Sequence, residues 1–368
     1  MEGKELYHYT SVEGFKNIIE NHALRLTESN FLNDPQDCKL FEKILKESIK
    51  DDQYDKAQEI IDSCNLKENK DKILRVLGKC SCEDYIDYLY KHIKLYVMSF
   101  SENKDDLSMW NYYGKGGFSI KIDKDELIKE IKNLLVENNE YFIFEKVIYS
   151  KNDTIDKIPD FNNIKFYNKD DEYVLTKNIE DSGQDENVKY LLDSAKLEIF
   201  YRVYYKAYLY SIKYLLTEKT ITIDANKDII CQKIFENTLN LKKSMAWKRN
   251  LSIYMLFLTA LIKSNSYESE KEVRLVYFKY DIDNDCKEDK VDFFTKYTSF
   301  GNLLSPCVYL KKGDCTGFEK IIKELIISPV SKNLTIGQEV YKDTLTRFLL
   351  HNHYEGTKIK YSKHNIRW

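Results

Sequence analysis

Leu95-Tyr96-Val97-Met98-Ser99-Phe100-Ser101 is an apolar run that ends in hydroxyl side chains, and it predicts a buried strand. Outward from this run, further segments carry the alternation or the short apolar runs of strands. They lie at 5–10, 24–26, 118–122, 141–149, 273–280, 291–294, 307–310, 325–328 and 358–361. Helical patterns separate them without the regular alternation of a doubly wound sheet. The order therefore predicts an α+β fold, with a mixed or antiparallel sheet core assembled from distant parts of the chain.

Helical periodicity is concentrated in two insertions between the predicted strands. The first, at about 39–93, predicts three helices, and the second, at about 188–264, predicts two long helices over 188–217 and 226–264. The polar segment between them, 151–187, is predicted to be irregular, and one more helix is expected near 336–351. We predict a single domain, 1–368, with an inserted helical subdomain.

The composition narrows the classes of function. Lys and Arg number 57 and Asp and Glu number 60, so the net charge is −3, and hydrophobic residues make up 43%. These values exclude a disordered chain. The near balance of charge argues against a general binder of nucleic acid or of membrane surfaces. Neither GxxxxGK[ST] nor GxGxxG occurs, so the common phosphate-binding loops are missing.

Cysteine and histidine spacing gives no sign of a metal site. The eight cysteines include no CxxC pair, and the histidines lack the spacing of metal ligands, so no metal is expected. The longest apolar run, 251–262, is too short to cross a bilayer, and residues 1–5 lack the apolar core of a signal peptide. These features predict a cytoplasmic protein with reduced thiols and no membrane partner.

Two clusters of polar side chains follow the predicted strands of the N-terminal part. His8-Tyr9-Thr10 ends the first strand, where sheet enzymes often present ligands. The alternative is a structural histidine beside an aromatic plug. Asn33-Asp34-Pro35, with Asp37, is either a turn formed for backbone reasons or a loop that carries carboxylates over a pocket.

A third cluster combines hydroxyls with aromatic rings. Ser99 and Ser101 end the buried strand, and Trp110 and Tyr112 follow within 109–114. The hydroxyls can bond an amide or a ribose, and the rings can stack on a flat heterocycle. Packing of the aromatic residues in the core is the alternative interpretation.

The fourth cluster pairs carboxylates with arginine. On a strand, Glu270, Glu272 and Arg274 would share one face, because side chains alternate. This face is either an exposed polar edge or an acid–base site whose charge arginine holds. The chain has seven Arg beside 50 Lys, which makes each Arg worth inspecting. Lys263 and Tyr267, just upstream, can line the same pocket.

Five motifs in the same order resemble the bacterial and phage family catalogued as domain-of-unknown-function family 2971. They are Leu6-Tyr7-His8-Tyr9-Thr10-Ser11, Asn33-Asp34-Pro35, Ser99-Phe100-Ser101 with Met109-Trp110, Glu270-x-Glu272-Val273-Arg274 and Ser362-Lys363-His364-Asn365-Ile366-Arg367. The resemblance extends from residue 5 to residue 368, and the stretch 151–265 is its least distinctive part.

The resemblance implies a distant relation to the ADP-ribosyltransferase fold, whose members share a three-part site for NAD. The matching positions would be His8, then Ser99 or Ser101 with Tyr112 nearby, then Glu272. His8 would hold the adenine-side ribose, and the Ser and Tyr groups would hold the nicotinamide. The binding residues implied in addition are Tyr9, Thr10, Asn33, Asp34, Trp110 and Arg274.

The chemistry implied by the resemblance is cleavage of the nicotinamide–ribose bond of NAD, which serves as substrate. This cleavage passes through an oxocarbenium-like cation, which a carboxylate next to the ribose stabilises. Glu272 would stabilise the cation, and Glu270 would orient or deprotonate the acceptor. The sequence leaves open which of the two is the catalytic acid.

Three hypotheses follow, in this order of preference. The first is an NAD-consuming ADP-ribosyltransferase or NAD glycohydrolase with a protein or nucleic-acid acceptor, by analogy a bacterial toxin or anti-phage defence effector. The second is a non-catalytic nucleotide-sensing module that binds a partner protein or a second copy through its helical insertions; the tyrosine-rich run 201–210 motivates it. The third is a nuclease or RNA-binding protein that uses Lys242-Lys243 and Trp247-Lys248-Arg249.

Overall fold

The structure of the protein is a computed structural model. It describes residues 5–32, 37–49, 53–63, 66–135, 140–150, 164–169, 172–174, 197–240, 246–279, 295–300, 303–311, 318–333 and 336–365. The predicted strand 291–294 lies outside these residues, as do Asn33, Asp34 and Lys242-Lys243.

Helices and strands alternate irregularly along the described residues. The α-helices are α1 (Val12–Asn21), α2 (Leu40–Ile49), α3 (Gln53–Ser63), α4 (Lys70–Leu77), α5 (Cys82–His92), α6 (Leu107–Tyr112), α7 (Lys124–Leu134), α8 (Leu197–Thr217), α9 (Lys227–Leu239), α10 (Ala246–Leu261) and α11 (Gln338–His351). The strands are β1 (Glu5–Thr10), β2 (Ala23–Glu28), β3 (Tyr96–Ser101), β4 (Phe118–Asp123), β5 (Glu140–Lys146), β6 (Ile148–Ser150), β7 (Lys165–Tyr167), β8 (Glu172–Val174), β9 (Ile262–Ser264), β10 (Glu272–Lys279), β11 (Thr295–Phe300), β12 (Leu303–Lys311), β13 (Ile322–Ile327) and β14 (Lys358–Tyr361).

Strand β3 lies in the interior of the large sheet, as its apolar sequence predicts. The sheet runs in the order β14-β13-β4-β1-β3-β10-β5-β7-β8, while β2, β12 and β11 continue from β3 as a second branch. Neighbouring strands are antiparallel, apart from the parallel pair of β13 and β14. Strands β6 and β9 form a separate parallel pair. The α+β prediction with a mixed, mostly antiparallel sheet is thereby confirmed.

Both faces of the sheet are covered by helices. Val97 and Val276 share one hydrophobic core with residues of both helical insertions, among them Tyr85 of α5 and Tyr204 of α8. Because side chains alternate along a strand, Met98 points to the opposite face, where it joins the core formed with α1, α7 and α11. The two insertions, far apart in sequence, therefore pack together over one face of the sheet.

Two continuous elements predicted from the sequence are wrong. The predicted helix 226–264 is interrupted, since α9 ends at Leu239 and α10 runs from Ala246 into strand β9 at Ile262. Asn226 starts α9 by accepting a hydrogen bond from the backbone of Ile229. The predicted strand 141–149 divides into β5 and β6, which belong to different sheets.

Other elements of the structure were not predicted from the sequence. Helix α3 (Gln53–Ser63) lies inside the first insertion, where a mostly polar sequence hides the apolar stripe formed by Ala57, Ile60 and Ile61. Within the polar segment 151–187, β7 and β8 extend the large sheet beyond β5. Phe166 is buried there, so this part of the segment is not irregular.

Candidate functional site

The candidate site begins at a split in the large sheet, where one edge of β3 is shared by two strands. Tyr7 of β1 pairs with Ser101 at one end of β3, and Thr27 of β2 pairs with Val97 at the other. Between these pairs, Nδ1 of His8 lies 2.9 Å from the carbonyl oxygen of Ser99. A carbonyl only accepts, so Nδ1 carries the proton and Nε2 of the neutral ring is left as an acceptor. Burial lowers the pKa of His8, although the bond to Ser99 opposes this.

A cavity of about 690 Å³ lies at this split. Six residues that the sequence analysis assigned to the site line it, and so do Lys263 and Tyr267. The six are His8, Tyr9, Thr10, Ser99, Glu270 and Glu272. Three distant segments thus converge on one cavity, whose size is typical of a small-molecule site.

Glu272 is the first residue of β10 and is only 5% exposed. Its Oε1 accepts a hydrogen bond of 2.7 Å from Nε of Arg274, and its Oε2 accepts one of 3.0 Å from Nζ of Lys263. Burial alone would raise the pKa of Glu272. Arg274 and Lys263, together with a hydrogen bond from Ser99, outweigh burial and lower the pKa to about 2. The carboxylate is therefore ionised at the wall of the cavity.

Glu270 reaches the same cation from another backbone element. It ends the 3₁₀ helix Asn265–Glu270, and Lys271, with a φ of 43°, turns the chain into β10. The expectation that Glu270 and Glu272 lie on one strand is therefore wrong, yet the turn brings both carboxylates to Lys263. Nζ of Lys263 donates to Oε2 of Glu270 at 2.8 Å, and the hydroxyl of Tyr113 donates to Oε1 at 2.8 Å.

Lys263 owes its position to the small parallel sheet. Its strand β9 pairs with β6, placing Lys263 opposite Tyr149, whose hydroxyl accepts a hydrogen bond of 2.9 Å from the backbone N–H of Glu272. The Lys263 ammonium also lies 4.4 Å from the centroid of the Tyr267 ring. Although burial opposes it, the surrounding carboxylates raise the pKa of Lys263, so the cation stays protonated.

Arg274 supports the site from beneath instead of lining the cavity. It is fully buried, and its guanidinium binds Glu272, both carboxylate oxygens of Asp37, and the carbonyl oxygen of Ala260 near the end of α10. The last carbonyl groups of a helix lack partners within the helix, so Arg274 satisfies one of them. Asp37, named in the sequence analysis beside the Asn33-Asp34-Pro35 turn, is thus part of the ion cluster.

Three predicted binding residues lie away from the cavity. The hydroxyl of Ser101 is buried and donates to the carbonyl oxygen of Glu270 at 2.6 Å. Trp110 is buried and donates from Nε1 to Oδ1 of Asp105 at 2.6 Å. Tyr112 is 75% exposed, and its neighbour Tyr113 is the tyrosine that reaches the cavity. Within a six-residue helix, one position decides which face a side chain occupies.

Tyr9 lines the cavity with its ring but uses its hydroxyl elsewhere. The hydroxyl donates to the carbonyl oxygen of Asn103 at 2.8 Å and accepts from the backbone N–H of Asp106 at 3.0 Å. The ring packs edge-on against Trp110. Tyr9 therefore supports the loop before α6, which is the structural interpretation of its motif.

Part of the cavity wall was not predicted from the sequence. Arg25 and Thr27 of β2 and Ser305 and Tyr309 of β12 line the cavity, as Tyr113 does. The signal available for Arg25 was the scarcity of arginine, because this short predicted strand carries one of only seven arginines in the chain. Nothing in the local sequence distinguishes Ser305 or Tyr309, because pairing of β12 with β2 brings them there.

Most of the described residues on which the other hypotheses rest are buried or partly buried. Tyr201, Tyr204, Tyr205 and Tyr208 are 2–4% exposed and belong to the core shared by the insertions, so these four tyrosines form no exposed surface. Lys248 is 4% exposed and lies 4.7 Å from the centroid of the Tyr210 ring. Burial lowers the pKa of Lys248 to about 8, which does not suit an open basic patch.

Two features are absent from the described residues. They contain no group of three or more His, Cys, Asp or Glu side chains that could hold a metal ion. Among the helices that the structure describes, none combines the length and the apolar character needed to cross a bilayer.

Comparison with known proteins identifies a family for the central part of the chain. Residues 109–275 match the family described as Protein of unknown function (DUF2971). The match runs through the stretch 151–265 and includes Glu270, Glu272 and Arg274. The motifs at 6–11, 33–35 and 99–101 lie before it, and the motif at 362–367 lies after it. No curated protein sequence and no solved structure matches the chain. The family resemblance is confirmed over this segment, and the relation to ADP-ribosyltransferases stays a prediction.

Proposed function

We propose that this chain, whose residues 109–275 match the family of unknown function 2971, cleaves the nicotinamide–ribose bond of NAD. It transfers the ADP-ribosyl group to water or to an acceptor. The observation that carries the proposal is the ionised carboxylate of Glu272, which shares one cavity with His8 and Ser99.

The ionisation of Glu272 favours NAD over an ordinary O-glycoside. Nicotinamide is bonded to ribose through a positively charged ring nitrogen. When that bond breaks, its electron pair stays on the nitrogen, and nicotinamide leaves as a neutral molecule that needs no proton. The positive charge passes to the ribosyl carbon and ring oxygen, where a carboxylate stabilises it. Cleavage of an O-glycoside would instead require a protonated acid beside the leaving oxygen.

Glu270 is suited to the second half of the reaction. Oxygen of water or of an acceptor hydroxyl adds to the ribosyl cation, forming the new C–O bond, and its proton passes to the Glu270 carboxylate and then to solvent. The hydroxyl of Tyr113 and the ammonium of Lys263 hold the Glu270 carboxylate in place. The products are nicotinamide, ADP-ribose or its adduct, and one proton.

His8 and Ser99 are suited to binding rather than to bond cleavage. With its proton fixed on Nδ1, His8 offers Nε2 as an acceptor for a ribose hydroxyl. Ser99 is exposed on the same wall and hydrogen-bonds Glu272, so it links the substrate-binding surface to the carboxylate. Consumption of NAD by such an enzyme would arrest the cell that contains it. Such an effect would suit a toxin or an anti-phage defence effector.

The proposal is tested by release of nicotinamide from NAD, measured for the wild type and for Glu272→Gln. Removing a preorganised electrostatic group is expected to lower the rate on the order of 10²–10³-fold. Glu339→Gln, on the exposed start of α11, removes the same charge away from the cavity and should leave the rate unchanged.

Circular dichroism of each variant distinguishes lost catalysis from lost folding. If Glu272→Gln does not fold, Glu270→Gln provides the second test, since it should slow capture by an acceptor or by water. A folded Glu272→Gln with wild-type turnover would show that the carboxylate is not catalytic. A wild type that neither releases nicotinamide nor binds NAD in calorimetry would overturn the proposal.

A further inference from the structure

The cavity has a second polar wall, which the proposed chemistry does not use. Arg25 and Thr27 of β2 line this wall together with Ser305 and Tyr309 of β12. Arg25 pairs with Tyr309 across the two antiparallel strands. Because directly paired residues share a face, and residues two positions apart on a strand do too, these four side chains belong to one surface.

Ser305 is the most informative residue of this wall. It is 1% exposed, and its hydroxyl finds no hydrogen-bond partner among the residues that the structure describes. A buried hydroxyl without a partner costs free energy, so such groups in folded proteins call for an explanation. A ligand oxygen bound in the cavity would satisfy the Ser305 hydroxyl.

Arg25 gives the wall its charge. Its guanidinium hydrogen-bonds the hydroxyl of Tyr309, and its positive charge helps burial to lower the pKa of His8. Lys263, the other Lys or Arg among the described lining residues, is bound to Glu270 and Glu272. The charged groups of the cavity are therefore divided: Glu270, Glu272 and Lys263 lie on one wall, and Arg25 lies on the other.

We infer that Arg25, Ser305 and Tyr309 form an anion subsite that binds a phosphate group of the substrate. A guanidinium presents several donors in one plane and matches phosphate oxygens with paired hydrogen bonds, and the hydroxyls add single donors. The preferred substrate then carries a positive charge next to the carboxylates and a phosphate at Arg25. Naming that phosphate as the diphosphate of NAD rests on the proposed function, whereas the subsite itself rests on the β2–β12 wall.

Isothermal titration calorimetry with inorganic pyrophosphate and with ADP-ribose tests the subsite. Arg25→Gln is expected to weaken binding of both by about 10- to 100-fold, since it removes charge-assisted hydrogen bonds. Ser305→Ala is expected to weaken binding by a few-fold while leaving the melting temperature unchanged or higher, because the hydroxyl has no partner to lose. Arg347→Gln, an exposed ion-pair residue on α11, is the matched control and should bind like the wild type.

The outcomes separate the subsite from the proposed function. Pyrophosphate binding that depends on Arg25, without nicotinamide release from NAD, supports the subsite and counts against the function. Nicotinamide release with an unchanged KM for NAD in Arg25→Gln supports the function and overturns the subsite. Wild-type protein that binds neither probe overturns the subsite as well. A lower melting temperature of Ser305→Ala, with unchanged affinity for pyrophosphate and ADP-ribose, would show that the Ser305 hydroxyl is structural.

Discussion

Asp37 and Arg274 lie 237 positions apart in the chain and form a two-pronged ion pair in its interior. Nη1 of Arg274 donates to Oδ1 of Asp37 at 2.8 Å, and Nη2 donates to Oδ2 at 2.6 Å. Nε of the same guanidinium holds Glu272. The position of the proposed catalytic carboxylate therefore depends on the segment that leads into the first helical insertion.

Removal of this guanidinium should destabilise the fold strongly. Arg274→Gln leaves the buried carboxylates of Asp37 and Glu272 without their shared cation, and breaking such a buried pair typically costs about 3–5 kcal/mol. We expect a loss of this size in the free energy of unfolding, measured by urea denaturation. The exposed Arg347→Gln should change it by about 0.5 kcal/mol or less. Equal stabilities of the two variants would contradict a structural role for the Asp37–Arg274 pair.

The lowered pKa of Glu272 makes stability depend on pH. In the folded protein the pKa is about 2, against an ordinary 4.5 in the unfolded chain. A depressed carboxyl pKa contributes stability that is fully present above about 4.5 and is lost as the pH falls toward 2. Linkage puts this contribution on the order of 3 kcal/mol.

Urea denaturation of the wild type and of Glu272→Gln, between pH 7 and pH 3, measures the contribution. Glutamine resembles the protonated acid, so the stability gap between the two proteins should shrink as the pH falls. A gap that stays constant over this range would mean that the carboxyl titrates normally.

The sequence predicted the strands of the site better than the side chains that meet there. Alternation and apolar runs place β1, β3 and β10 correctly, because each strand carries in its own sequence the apolar residues that it buries. Which residues face the cavity depends on local turns instead. The left-handed turn at Lys271 redirects Glu270, and one position within α6 exchanges Tyr112 for Tyr113.

Long-range pairing explains the remaining misses. Arg25, Ser305 and Tyr309 meet because β2 pairs with β12, a contact between segments almost 300 residues apart that no local pattern encodes. The break between α9 and α10 is of a different kind, since both parts are apolar enough to have suggested one helix. Tertiary packing of the two insertions decides how that apolar sequence is divided.

Gly117 is expected to tolerate no side chain. It lies where the start of β4 approaches the end of β1, and a Cβ built on it would lie 2.1 Å from the carbonyl oxygen of Thr10. Backbone atoms cannot move aside as a flexible side chain can, so Gly117→Ala should destabilise the protein by about 1–3 kcal/mol or more. Gly356→Ala is the matched control, because nothing lies within 4 Å of a Cβ at that position. Thermal denaturation compares the two, and equal melting temperatures would contradict the close approach.

Adjacent tyrosines allow a direct test of the site assignment. The hydroxyl of Tyr113 donates a hydrogen bond to Glu270, whereas Tyr112 is exposed. If Glu270 accepts the proton of the attacking group, Tyr113→Phe should lower kcat for nicotinamide release. The expected decrease is about 10- to 100-fold, because the substitution removes a hydrogen bond to a charged group. Tyr112→Phe should leave kcat unchanged. An equal change in kcat for both substitutions would contradict the assignment of Tyr113 to the site.

Lys263 should act as a positioning residue whose loss shifts the pH profile of the reaction. Its ammonium lies 2.8 Å from Oε2 of Glu270 and 3.0 Å from Oε2 of Glu272, and its charge helps to keep the pKa of Glu272 low. Lys263→Met leaves two neighbouring carboxylates with less compensation, so the pKa of Glu272 should rise. The acid limb of kcat for nicotinamide release should then move to higher pH.

Lys263→Arg retains the positive charge and is therefore the matched control, with an acid limb expected close to that of the wild type. A merely structural role for Lys263 would reduce the amount of active protein in Lys263→Met without moving the limb. Because acid also destabilises the fold, circular dichroism at each pH checks that Lys263→Met stays folded over the range in which the limb is read. An unchanged limb in folded Lys263→Met would show that the ammonium does not control the ionisation of Glu272, which would leave Arg274 as the group that holds the charge.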